Sequence, residues 1–106
     1  MNVTYIESNA VPAAQVLKAL SNPRRLRIIC ALCGGEKCVG ELENIVGISQ
    51  SALSQHLAKL RDDCLVKTRR EAQTIYYSVG NPAIHQLLQC LNTIYSADIP
   101  ANSENP

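Results

Sequence analysis

Two stretches carry residue types that could do chemistry at a useful spacing. Residues 49 to 61 read SQSALSQHLAKLR, and residues 69 to 79 read RREAQTIYYSV. On a helical wheel, Leu53, Leu57 and Leu60 point one way, while Ser51, Gln55 and Ala58 point the other. Ser54 and Lys59 lie at the edges of that outer face. A surface that reads base edges needs short hydroxyls and amides: Gln pairs with an adenine edge, Ser with several bases, and Ala leaves room for a thymine methyl. A carboxylate would be repelled by phosphate, and none occurs from 49 to 61. The spacing therefore predicts a helix for the major groove, capped by Ser49 and opening with Gln50. His56 lies on the wheel beside Leu60, where a half-buried histidine and a DNA contact are equally compatible with its position. Arg69, Arg70 and Gln73 fall near the turn of the hairpin and are expected to meet the DNA backbone, against the plainer reading of a charged surface hairpin.

Other chemistry is thinly represented. There is no phosphate loop, nucleophile elbow or recognisable carboxylate pair, so an enzyme is not expected. A Cys30–His56 pair is formally possible, but nothing in the sequence places the two together. Cys30 and Cys33 are three residues apart on one helix, and Cys38 follows five later. Such a trio could bind a thiophilic species such as arsenite, because soft thiolates suit it. Free cysteine is also a common small core residue. Cys64 precedes the hairpin, and Cys90 lies on the flank of the final helix. No cofactor and no resident metal are expected.

These residues need a scaffold. The first periodic helix covers 11 to 20, with Ala13, Val16, Leu17 and Leu20 on one stripe. Asn22 caps a second, Pro23 to Cys33, which Gly34-Gly35 ends; Leu26, Ile29, Cys30 and Cys33 are its expected inner face. A third spans Val39 to Val46 and stops at Gly47. The fourth is the groove helix, reaching about Asp62. Strands near Val66 to Arg70 and Thr74 to Val79 follow, joined by a tight turn at Glu71-Ala72-Gln73. The last helix starts after Asn81-Pro82 and runs to about Ser96, with Ile84, Leu87, Leu88, Leu91, Ile94 and Tyr95 on its apolar stripe.

The expected fold is mainly α with a small β-hairpin. It is a winged helix-turn-helix of four helices, two strands and a closing helix. Residues 1 to 10 are expected to be a flexible N-terminus, 11 to 96 the folded unit, and 97 to 106 a flexible tail. The helix before the groove helix should cross the DNA backbone.

At 106 residues this is one small domain, with Leu, Ile, Val and four Tyr but no Phe or Trp to build the core. Such a domain buries roughly 60–70 % of its unfolded surface, so association would add stability. The first and last helices have apolar stripes with little of their own domain left to cover, and a homodimer through them is expected. Two groove helices would then meet major grooves about 34 Å apart. The net charge of +1 is low for a DNA binder. Its distribution matters more: Arg24, Arg25 and Arg27 form one cluster, and Lys59, Arg61, Lys67, Arg69 and Arg70 another. No apolar run approaches the roughly 18 residues of a membrane span, and no signal peptide is evident, so a cytoplasmic protein with reduced thiols is expected.

The stretches LKALSNPRRLRIICAL (17 to 32) and VGELENIVGISQSALSQHLAKLRDDCLVKTRREAQTIYYSV (39 to 79), with the closing helix, resemble the ArsR/SmtB family of dimeric bacterial repressors. Within it they look most like the HlyU/BigR/SqrR/YgaV branch. The resemblance implies a DNA-binding regulator, with double-stranded DNA as partner. It further implies sensing of reactive sulfur or oxidants through two cysteines, one on the second helix and one near the end of the last. The first falls on Cys30; at the second position this chain has Ser96, so the implied intrachain bridge cannot form. A lost switch, the use of other thiols and a Cys-to-Ser replacement all fit. Cys38 matches the first cysteine of the family's ELCVC metal motif, but Gly40 stands at the second. His85 is alone where the family's zinc sites need an Asp/His set.

Overall fold

The structure, a computed structural model, describes residues 1–98. In chain order it contains α1 (Thr4–Ser8), α2 (Ala10–Leu20), α3 (Pro23–Cys33), β1 (Lys37–Cys38), α4 (Val39–Val46), α5 (Gln50–Asp62), β2 (Val66–Glu71), β3 (Thr74–Val79) and α6 (Ala83–Asp98). The expected tail falls largely on 99–106, outside the described residues.

Local chemistry sets the helix ends. The Asn22 side chain accepts from the backbone N–H of Arg24 at 2.9 Å and of Arg25 at 3.1 Å, with Pro23 at the first helical position. Glu41 reaches back to accept from the Cys38 N–H at 2.9 Å. Gly47 closes α4 in the left-handed conformation, φ 74°. The Ser49 hydroxyl accepts from the Ala52 N–H at the start of α5. At the other end of α5, the Leu65 N–H donates to the Leu60 carbonyl and that of Cys64 to Arg61, the Schellman pattern. Cys64 takes the left-handed position there, φ 62°.

Six elements and the segment before β2 supply the buried core. It comprises Ala19 and Leu20, Ile28, Ile29 and Leu32, Leu42 and Val46, Leu53, Leu57 and Leu60, Leu65 and Val66, and Ile84. On α3 the fully buried residues are Ile28, Ile29 and Leu32; of the expected Leu26, Ile29, Cys30 and Cys33, Leu26 and Cys33 pack half-buried against this core and only Cys30 is exposed. Both sets satisfy a 3.6-residue period and share Ile29. The set with more branched aliphatic surface is the one buried, which turns Cys30 outward.

The sheet is larger than a hairpin. Lys37 and Cys38 pair antiparallel with Tyr77 and Tyr76, giving the order β1-β3-β2. Two residues carry no alternation, so this strand left no period to read. The hairpin register places Glu71 opposite Thr74, leaving a two-residue loop whose first member, Ala72, has φ 57°. At the N-terminus, which shows no periodicity in sequence, Thr4–Ser8 forms a short helix; just before it the Asn2 side chain accepts from both Thr4 N and Thr4 Oγ1.

The apolar stripes of α2 and α6 are only partly covered. Val11, Leu17, Ile94 and Tyr95 are exposed, as are Tyr5 and Ile6 on α1. A largely apolar cavity of about 380 Å³ opens between α2 and α6, lined by Ile6, Val16, Leu17, Ile84 and Leu87 among others. None of the helices is long and apolar enough to cross a membrane, among the described residues.

Candidate nucleic-acid interface

Leu53, Leu57 and Leu60 anchor α5, each 1 % exposed or less. That fixes the rotation of the helix about its axis. Gln50, Ser51, Ser54, Gln55, Ala58 and Lys59 are consequently exposed together. Ser49 and Ser51 hydroxyls lie 3.3 Å apart at the N-terminal end, where the helix dipole also favours an anion. Among the described residues Lys59 makes one ion pair, a 3.4 Å contact with Asp63 near the surface, which holds it weakly. Asp62 and Asp63 stand at the far end of the helix.

His56 is half-buried. Desolvation lowers its pKa below the ordinary 6.5, and the charges of Arg25 and Arg24 push the same way. It is therefore a neutral imidazole at neutral pH, without a cation to offer phosphate. Arg25 is itself engaged: its Nε donates to the Ala19 carbonyl at 2.6 Å, securing the C-terminal turn of α2.

On the hairpin, Arg70 and Gln73 are exposed with no side-chain hydrogen bond among the described residues. Lys67 is exposed on the same strand. Arg69 differs. Its Nε donates to both Glu36 carboxylate oxygens at 3.0 and 2.9 Å, its Nη1 donates to Glu71 at 2.7 Å, and its guanidinium lies 4.6 Å from the centroid of the Tyr76 ring. These bonds hold the Glu36 carboxyl below its usual range and raise Arg69 further above its own. Sequence reading missed Glu36, and no local signal marks it: it lies 33 residues from its partner.

The thiols divide. Cys30 and Cys33 line one cavity of about 310 Å³ with His85, Leu88, Gln89 and Asn92 of α6. The Cys33 thiol is pushed up by burial and then by the neighbouring Cys30. Cys38 faces a different cavity, beside Val39, Gly40 and the hairpin residues Gln73 to Ile75, so the Cys30/Cys33/Cys38 trio is not assembled. Among the described residues no group of three or more His, Cys, Asp and Glu is placed to hold a metal ion. The Ser96 hydroxyl donates to the Thr93 carbonyl.

Residues 22–68 match the family described as bacterial regulatory protein, arsR family. The chain is 46 % identical over 95 residues to the transcriptional activator HlyU of Vibrio cholerae, covering 90 % of this chain and 88 % of that one. The crystal structure of the transcriptional repressor BigR from Xylella fastidiosa superposes with a TM-score of 0.85 at 42 % identity, over 90 % of this chain and 97 % of that one. A homodimeric winged helix-turn-helix DNA-binding domain from Mycobacterium bovis, a possible ArsR-family transcriptional regulator, gives 0.77 at 26 % identity, over 95 % of this chain and 94 % of that one.

Proposed function

The chain belongs to the arsR family of bacterial regulatory proteins, a DNA-binding transcription regulator and no enzyme; from that premise we propose that it acts as a homodimeric repressor at an inverted-repeat operator. The observation that carries this reading is the rotation of α5. Three fully buried leucines leave a polar face outward that carries no carboxylate from Gln50 to Arg61, and a basic hairpin follows directly in the chain.

In this reading Ser51, Ser54 and Gln55 read base edges, while Ser49 and Gln50 approach the backbone at the helix start. Lys59, Arg70 and Gln73 hold register on phosphate and sugar. His56 supports α5 from its half-buried side. The exposed apolar residues of α2 and α6 cover one another across the two-fold axis; that the M. bovis neighbour is a homodimer supports the dimeric state.

Fluorescence anisotropy with a labelled duplex from upstream of the chain's own gene tests the proposal. Binding of one dimer to an inverted repeat, lost when one half-site is scrambled, is the expected result. Equal affinity for scrambled DNA would sink the operator reading.

A thiol response is the second element, favoured by the shared Cys30/Cys33 cavity against α6. Modification there would alter packing between α3 and a dimer helix, which gives an effector a preferred dimer geometry to stabilise. Organic polysulfide should release DNA from the wild type and spare Cys30→Ser. Release by arsenite instead, abolished in a Cys30/Cys33/Cys38 triple serine variant, would favour a soft-metal response in which Cys38 moves to the pair. Insensitivity to both means a repressor without a working thiol switch.

A further inference from the structure

The cluster around Arg69 is not absorbed by groove reading. Arg69 sits on β2 directly opposite Tyr76 of β3, and Tyr76 sits opposite Cys38 of β1. These three residues form one row across the sheet. The Arg69 guanidinium lies against the Tyr76 ring and meets Glu36, two residues before Cys38. Arg69 thus ties β2, across the central strand, to the residue that leads into β1. β1 runs without a break into α4, the helix before α5.

We propose that Glu36 is a positioning residue for DNA binding: through Arg69 it fixes the wing against the helix-turn-helix, and Arg69 makes this tie instead of a phosphate contact. The inference rests on the DNA-binding role of α5 and the wing. Two carboxylates share one guanidinium, so the cluster is net negative and offers phosphate no free cation. A phosphate would have to displace a bidentate carboxylate and a second one beside it. Arg70, next along the strand and free of such partners among the described residues, is left to meet the backbone.

The pair is about half exposed, so an isolated ion pair here would contribute little to stability. Its effect lies in the angle of the wing. Glu36→Gln and Arg69→Ala should each weaken binding to the labelled upstream duplex by about five- to tenfold. Neither should change the slope of log affinity against log salt, because neither removes a phosphate contact. Arg70→Ala should lower that slope by about 0.9. Glu36→Asp should recover part of the loss. The double variant should bind no worse than either single one, since both break the same tie.

Amide hydrogen exchange of the free protein gives an independent readout. Glu36→Gln should speed exchange in residues 66–79 and leave α5 unchanged. Three results overturn the proposal: Arg69→Ala lowering the salt slope by about one while Glu36→Gln tightens binding, single variants that bind like the wild type, or wing exchange that does not respond to Glu36→Gln. Were the wild type to ignore DNA, the groove-reading role would fail, and the exchange experiment would still decide the tie.

Discussion

The carbonyl oxygen of Cys64 lies 2.8 Å from where a β-carbon on Gly80 would stand. The backbones of Leu65 and Val66 crowd the same point at 3.3 and 3.2 Å. The Gly80 N–H donates to the Leu65 carbonyl at 2.8 Å, so the chain leaving the sheet is bonded to the chain entering it. All the crowding atoms are backbone, which cannot swing aside as a side chain would.

Gly80→Ala should therefore cost about 1–3 kcal/mol, because the exit to α6 must shift away from β2. Urea unfolding at fixed protein concentration reads this directly. A midpoint equal to the wild type would show that the segment yields freely.

Cys64→Gly should act in the opposite sense. Cys64 occupies the left-handed residue after α5, where a β-carbon costs about 1–2 kcal/mol that glycine avoids. Part of that gain is offset by the greater freedom of glycine in the unfolded chain, so about 1 kcal/mol is expected. Ala72→Gly in the hairpin loop should behave similarly. Thermal unfolding checks both, and an unchanged or lower Tm would refute the assignment of strain.

Base reading and backbone contact separate by their dependence on sequence. Gln55→Ala should lose about 1–3 kcal/mol on the operator and much less on unrelated duplex. Arg70→Ala should weaken binding to both alike. Equal losses on both duplexes for Gln55→Ala would move that residue from base edge to backbone.

His56 predicts a pH effect on stability. Its folded pKa lies below 6.5, so on acidification the unfolded chain takes up this proton first. The folded state loses stability as pH falls below about 6.5, and the loss levels off once pH passes the folded value. His56→Gln should remove part of the drop seen between neutral pH and about pH 5.5. The depressed Glu36 and Glu41 act in a lower window: their contribution is complete above 4.5 and disappears as pH falls through their folded values. A pH profile of the variant that parallels the wild type down to about pH 5 would exclude the histidine as its cause.

Sequence by itself determined what depends on near neighbours along the chain. Asn22-Pro23, Gly47 and Ser49 mark helix ends because caps act within four residues. The outward face of α5 was legible because Leu53, Leu57 and Leu60 repeat at helical spacing over about two turns. On α3 the same logic was ambiguous, since two overlapping stripes both fit the period. Only packing against the rest of the core put Ile28 and Leu32 at its centre, left Cys33 at its margin and Cys30 outside it. That choice left Cys30 at the surface, at the edge of a cavity shared with α6, and Cys38 beside another. The two-residue strand β1 and the tie from Glu36 to Arg69 are wholly tertiary. Arg69 reads in sequence as one more basic residue of a wing. Its role is set by a carboxylate 33 positions away that only the closed sheet brings within hydrogen-bonding reach.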